Sequence, residues 1–137
     1  MASVREQINI GTTARCVWAA LTTAEGWTSW YADEARVDAR VGGRVVLVSE
    51  GDDGEPLEEV GILHIVRPTS RLEIRFDSTA RAPTAGTRLR FNIARDGEET
   101  RVGLVQSGGV LDDDALRESV QKTWRQALRA LRDHLED

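Results

Sequence analysis

The stretch Asp113–Asp137 constrains this chain more than any other. Leu116, Val120, Trp124, Ala127, Leu128, Leu131 and Leu135 recur at spacings of three and four. A helix would align them on one face. Arg117, Lys122, Arg125, Arg129 and Arg132 fall mostly on the other. At a rise of about 1.5 Å per residue such a helix is about 36 Å long, enough to cross a small domain. The segments upstream read as short strands, and strands need something to cover their apolar face. The helix is therefore expected to be that cover.

Upstream, Ser3–Gly11 alternates in character and reads as a first strand. Thr12 or Thr13 can cap a helix from about Ala14 to Thr22, because a side-chain oxygen there satisfies a free N–H of the first turn. Val17, Trp18 and Leu21 would form its buried face. A second helical piece, about Ala24 to Tyr31, carries Trp27, Trp30 and Tyr31, three of only seven aromatic residues in the chain. Ala35–Val41 has period two and is expected to pair with Arg44–Ser49 across a tight Gly42-Gly43 turn.

Glu50–Pro56 is a polar turn before a strand over Glu59–Val66. A break at Arg67–Ser70 follows, where Pro68 cannot donate to a ladder. Leu72, Ile74 and Phe76 then alternate with charged residues. Ala80–Gly86 reads as a loop, and Leu89, Phe91 and Ile93 alternate again. Asp96-Gly97 signals a hairpin into a last strand, Thr100–Ser107. Asp112 or Asp113 is positioned to cap the final helix. A run of strands with no intervening helices implies an antiparallel sheet with one solvated face, on which Arg36, Arg40, Arg75, Arg88 and Arg90 would lie.

A chain of 137 residues is expected to form one domain, 1–137, with a real core. Its net charge of −5 argues against nucleic acid or an anionic membrane surface as partner, since both call for a basic face. Met1–Gly11 lacks the pattern of a signal peptide, and no apolar run is long enough to span a bilayer. Cys16 is the single cysteine. A cytoplasmic location is the expectation. The two histidines and the cysteine, at 64, 134 and 16, lack the spacing zinc requires, so no metal site and no cofactor are expected.

The ordered set of short motifs resembles a known family. These are Val17–Thr22, Trp30-Tyr31, Val41–Arg44, Gly61–Leu63 with Pro68 and Leu72, Gly86–Leu89, Ser107-Gly108, and Trp124 with Leu128 and Leu131. The chain resembles the START-like, helix-grip (SRPBCC) superfamily that includes the birch-pollen allergen. Within it, the chain is similar to single-domain homologues of the activator of heat-shock-protein-90 ATPase. Relatives usually carry Gly-Trp in the last helix, where Thr123 precedes Trp124 here. A glutamate often found on the strand after Gly61 is replaced by Ile65. The resemblance implies an α+β fold: a curved antiparallel sheet of six to seven strands wrapped around the C-terminal helix, with two short helices after the first strand. It also implies an apolar cavity between sheet and helix. It does not imply one reaction, because relatives include ligand carriers, chaperone cofactors and polyketide cyclases.

In such a cavity Trp27, Trp30, Tyr31 and Trp124 would be walls, with Phe76, Phe91 and Leu128 contributing apolar surface and Gln106 a polar anchor. All of them are equally compatible with plain core packing. His64 is the best acid or base in the chain if it points inward, but both parities of its strand are apolar, so the sequence leaves its face open. His134 suits the negative end of the last helix. Cys16, near a helix N-terminus, has no base beside it in sequence. The first functional expectation is non-enzymatic binding of a hydrophobic or aromatic small molecule by a monomer or homodimer. The alternatives are a protein-interaction module, a chaperone cofactor by analogy, and a cyclase- or hydrolase-like enzyme using His64.

Overall fold

A computed structural model describes residues 2–51, 53–79 and 82–136. Its elements are β1 (Ser3–Ile10), α1 (Ala14–Thr22), α2 (Ala24–Trp30), β2 (Glu34–Val37), β3 (Arg44–Glu50), β4 (Pro56–Arg67), β5 (Arg71–Phe76), β6 (Arg88–Asp96), β7 (Glu99–Ser107), a 3-10 turn (Gly109–Asp112) and α3 (Asp114–Glu136). Among the described residues seven strands form one open sheet in the order β1-β7-β6-β5-β4-β3-β2, every pair antiparallel. Strands β2 to β7 follow one another as a meander, and β1 closes the far side by pairing with β7. This is the helix-grip architecture.

The sheet buries one face. Val45 and Leu47 of β3, Leu63 of β4, Leu72 and Ile74 of β5, Leu89 and Phe91 of β6, and Val102 and Leu104 of β7 are all essentially inaccessible. Their partners on the opposite face, Arg36, Arg75 and Arg88, are exposed, as period-two alternation requires. Helix α3 lies against β1 and α2 and contributes Val120, Trp124, Ala127, Leu128 and Leu131 to the same core. Each large apolar side chain buried this way adds roughly 1.5–3 kcal/mol before the entropy of ordering it.

Polar contacts fix where α3 sits. The Asp113 carboxylate accepts from the Leu116 amide at 3.0 Å and caps the helix start. Near the other end, the Glu136 carboxylate accepts from the Gly11 amide at 2.8 Å. Between them Glu6 of β1 accepts from Gln121 and Arg125. His134 stands exposed in the last turn.

Helices α1 and α2 meet at a close approach. Thr13 caps α1 and Thr23 caps α2, each through its hydroxyl. A Cβ on Gly26 would stand 2.6 Å from the Ala20 Cα, so only glycine permits this packing. The approach lets two indole N–H groups donate to carbonyls in the last turn of α1, Trp27 to Leu21 at 2.8 Å and Trp30 to Ala20 at 3.2 Å. Those carbonyls have no partner within the helix.

Four local expectations need correction. Strand β2 ends at Val37 rather than Val41, and Val41 is 68% exposed. Gly42-Gly43 is thus not a two-residue hairpin turn but the end of a longer connection. Its chain folds back so tightly that a Cβ on Gly43 would stand 1.9 Å from the Asp38 carbonyl oxygen. The β6–β7 turn is centred on Gly97-Glu98, because Asp96 already pairs with Glu99. Finally, β4 is longer than expected and carries a bulge between Leu63 and Ile65. Of the expected loops, Asp52 in the first and Ala80 and Arg81 in the second lie outside the described residues, as does Asp137 at the helix end.

Gly26→Ala is expected to destabilise the protein by about 1–3 kcal/mol, because the methyl must displace backbone. Urea denaturation would measure it, and a variant as stable as the parent would contradict the close approach.

Candidate functional site

Five aromatic rings gather beneath α3. Trp27 and Trp30 stack at a centroid distance of 4.9 Å. Tyr31 and Trp124 stack at 4.8 Å with planes only 8° apart. Phe91 meets Trp124 and Trp27 edge-on, at 6.1 Å and 5.9 Å. Such pairs each add about 0.5–1.5 kcal/mol beyond the area they bury.

Beside this cluster a pocket of about 510 Å³ opens between β3, β4, the loop over 82–84 and α3. Trp30, Tyr31, Leu57, Leu116, Val120 and Trp124 supply its apolar wall, and Glu59, Thr84 and Gln106 its polar one. Its rim is exposed, with Glu50 on one side and Ser119, Thr123 and Gln126 along α3 on the other.

The polar wall is a connected chain of hydrogen bonds. The Trp124 indole N–H donates to Gln106 Oε1 at 2.7 Å, and Gln106 Nε2 donates to Thr87 Oγ1 at 2.9 Å. Thr87 donates in turn to the Thr84 carbonyl at 2.7 Å. The Thr84 hydroxyl donates to Glu59 Oε2 at 2.7 Å, and Tyr31 donates to Glu59 Oε1 at 2.6 Å. Tyr31 then stacks back on Trp124 and closes the circuit. Among the described residues no buried side-chain nitrogen or oxygen is left without a partner, as buried polar groups require.

Glu59 is the chemically distinctive member. It is 8% exposed, and among the described residues it makes no ion pair. Burial pushes its carboxyl above the usual carboxylate range, opposed by the two hydrogen bonds it accepts from Tyr31 and Thr84. Burial and the neighbouring Glu59 hold the Tyr31 hydroxyl well above its ordinary value, so it is a donor at neutral pH. Glu73, on the outer face, is different: although burial opposes its charge, hydrogen bonds from Arg90 and Arg75 hold its carboxyl below the usual range.

The residues expected at a site divide sharply. Trp30, Tyr31, Gln106 and Trp124 line the pocket. Trp27, Phe76, Phe91 and Leu128 do not; they are buried core behind it. His64 is exposed on the outer face, away from the pocket, because it alternates with the buried Leu63; the bulge leaves it as an extra residue between the Leu63–Ile74 and Ile65–Glu73 pairs. The face that the sequence left open is thus the outer one, His64 does not join the candidate ligand-binding residues, and the pocket holds no histidine among its described lining residues. Cys16 is exposed, hydrogen-bonded at the start of α1, and stands apart from the pocket.

Sequence reasoning missed Glu59, Thr84 and Thr87. One signal was present for Glu59: it shares parity with Leu57, Gly61 and Leu63, the inward residues of β4 before the bulge. Thr84 lies in the β5–β6 connection, where no periodicity exists to read.

Comparison with known proteins adds the following. The family model described as Activator of Hsp90 ATPase homolog 1-like protein matches residues 11–136. The Aha1 dimer from Colwellia psychrerythraea, solved in solution, superposes with a TM-score of 0.82 at 19% identity, covering 99% of this chain and 97% of that one. The AHSA1-like protein from Aeromonas hydrophila gives 0.75 at 20% identity over 97% and 92%. DynU16, a protein in the dynemicin biosynthetic locus, gives 0.82 at 17% identity over 98% of this chain but 47% of its own. At these identities the structures share the fold. No functionally curated protein matches the chain. No helix among the described residues is long and apolar enough to cross a membrane.

Glu59→Gln tests the cost of the buried carboxylate. Because the folded carboxyl is raised, the wild type is favoured at low pH and loses stability as pH rises through the folded value. The glutamine variant is therefore expected to match the parent near about pH 4 and to become the more stable of the two toward about pH 8. Thermal denaturation across that range checks it, and a gap that moves in the parent's favour with rising pH contradicts the assignment.

Proposed function

The chain belongs to the activator of Hsp90 ATPase homolog 1-like family, and from that premise we propose that it binds a hydrophobic small molecule, without chemical turnover, in the pocket between sheet and α3. The observation that carries the reading is the pocket itself, about 510 Å³ behind an exposed rim, with Trp30, Tyr31 and Trp124 as walls. That volume lies within the range of small-molecule sites, roughly 300–1,000 Å³, and the pairing of an apolar wall with a few fixed polar groups is what such sites have in common. The aromatic walls are held before any ligand arrives, since Trp124 is fixed by Gln106 and Tyr31 by Glu59. A preformed wall lowers the ordering cost of binding. The occurrence of the same fold in a biosynthetic locus is in keeping with a small-molecule role.

An enzyme built on His64 lacks support, because that side chain is on the opposite face from the pocket. A chaperone-cofactor role would need a patch on the outer surface, and among the described residues no comparable built feature favours it there.

Titration with a panel of lipids and aromatic metabolites is expected to change the emission of Trp30 and Trp124. Thr123→Trp places a bulky ring at the exposed rim. It is expected to weaken binding at least about tenfold while changing stability by no more than about 0.5 kcal/mol. Calorimetry is the measurement for that variant, which adds a fluorophore. The reading fails if no compound in the panel perturbs emission, or if the rim variant binds as tightly as the parent.

A further inference from the structure

The charge of the pocket is one-sided. Its described lining contains two carboxylates, Glu50 at the rim and Glu59 within, and no lysine, arginine or histidine. Glu59 is held by hydrogen bonds alone, from Tyr31 and Thr84, one to each oxygen. A carboxylate offers about four lone-pair sites, so acceptor capacity remains on this residue, which lines the pocket. The aromatic rings that line the same pocket, Trp30, Tyr31 and Trp124, carry negative potential on their faces, which attracts cations.

Resting on the small-molecule reading above, we propose that the pocket selects ligands that join a flat apolar body to a protonated amine, and that Glu59 receives the ammonium. The apolar body lies against Trp30 and Trp124. The ammonium donates to the free acceptor sites of Glu59 and gains from the adjoining aromatic rings. A ligand cation supplies the countercharge that the described lining does not. An anionic amphiphile such as a fatty acid meets the opposite situation, two carboxylates and no cation among the described lining residues, in a site where water is partly excluded and like charges repel strongly. The hydrogen-bonded wall makes this selectivity directional: Tyr31 and Thr84 hold both oxygens of Glu59, so the carboxylate cannot swing away to avoid an anion. Among the described residues the other titratable groups in the pocket lining are Tyr31, just after α2, and Glu50 of β3, while β7 and α3 present the non-titrating Gln106 and Trp124.

The test is calorimetry of the full chain with three matched compounds, naphthylethylamine, naphthylethanol and naphthylacetate. The amine is expected to bind at least about tenfold tighter than the carboxylate near neutral pH, with the alcohol between. In Glu59→Gln the three affinities should converge, through loss of amine binding and gain of carboxylate binding, while the alcohol changes little. In the wild type the advantage of the amine over the alcohol should shrink as pH falls, because Glu59 becomes neutral while the amine stays charged. Burial places that change above the usual carboxylate range. The pH series needs no variant and keeps the test decisive if the glutamine protein folds poorly. Binding of all three without preference, or a preference that survives both Glu59→Gln and acidification, overturns the assignment to Glu59 and leaves the pocket reading standing. Binding of none overturns both.

Discussion

The stacking of Tyr31 on Trp124 is the contact on which the rest of this site depends. It joins a residue at the end of α2 to one in the middle of α3, and each ring is also tied to the sheet by a hydrogen bond, Tyr31 to Glu59 and Trp124 to Gln106. Three layers of the fold therefore meet at one pair of rings. Moving Trp124 breaks a buried hydrogen bond and moving Tyr31 a part-buried one, and a buried group left without its partner costs about 1–3 kcal/mol. Glu59, Thr84, Thr87 and Gln106 complete the circuit and leave no unpaired buried side-chain atom among the described residues.

That arrangement explains how a space of this size persists in an otherwise close-packed core. Apolar side chains alone would tend to collapse into the opening, since dispersion contacts reward filling it. Here the rings bordering the space are held upright by directional bonds, and the pocket floor is polar. The small residues along α3, Ser119, Thr123, Ala127 and Ala130, leave the mouth uncovered. A carboxylate at the floor has a cost in stability at neutral pH, because burial disfavours its charge. A buried group with that cost is the kind of local conflict that a binding role accounts for.

Much of the fold was legible in the residues. The seven-residue apolar stripe of α3 and the alternation in β5, β6 and β7 identified the elements and the inward face. The caps Thr13 and Asp113 marked helix starts for a local reason, a side-chain oxygen within reach of a free amide. The site was only half legible. Trp30, Tyr31 and Trp124 stood out as aromatics, yet nothing local distinguishes them from Trp27 and Phe91, which are core. The bulge at His64 is why both parities of β4 read as apolar and its inward face stayed open. It puts Ile62 on the outer face and Val66 on the inner one, although the two share parity in sequence.

The sequence by itself determined what periodicity and local hydrogen bonding encode: the long amphipathic helix, the antiparallel meander, the two short helices with a threonine cap on the first, and by resemblance the helix-grip arrangement. Those depend on neighbours within a few positions. Only the tertiary structure decided that Glu59 lies in a pocket, that Gln106 and Thr87 connect it to Trp124, and that His64 faces solvent. Each of those depends on which residues from distant segments meet and on where a bulge shifts the register, and no spacing along a single chain encodes either.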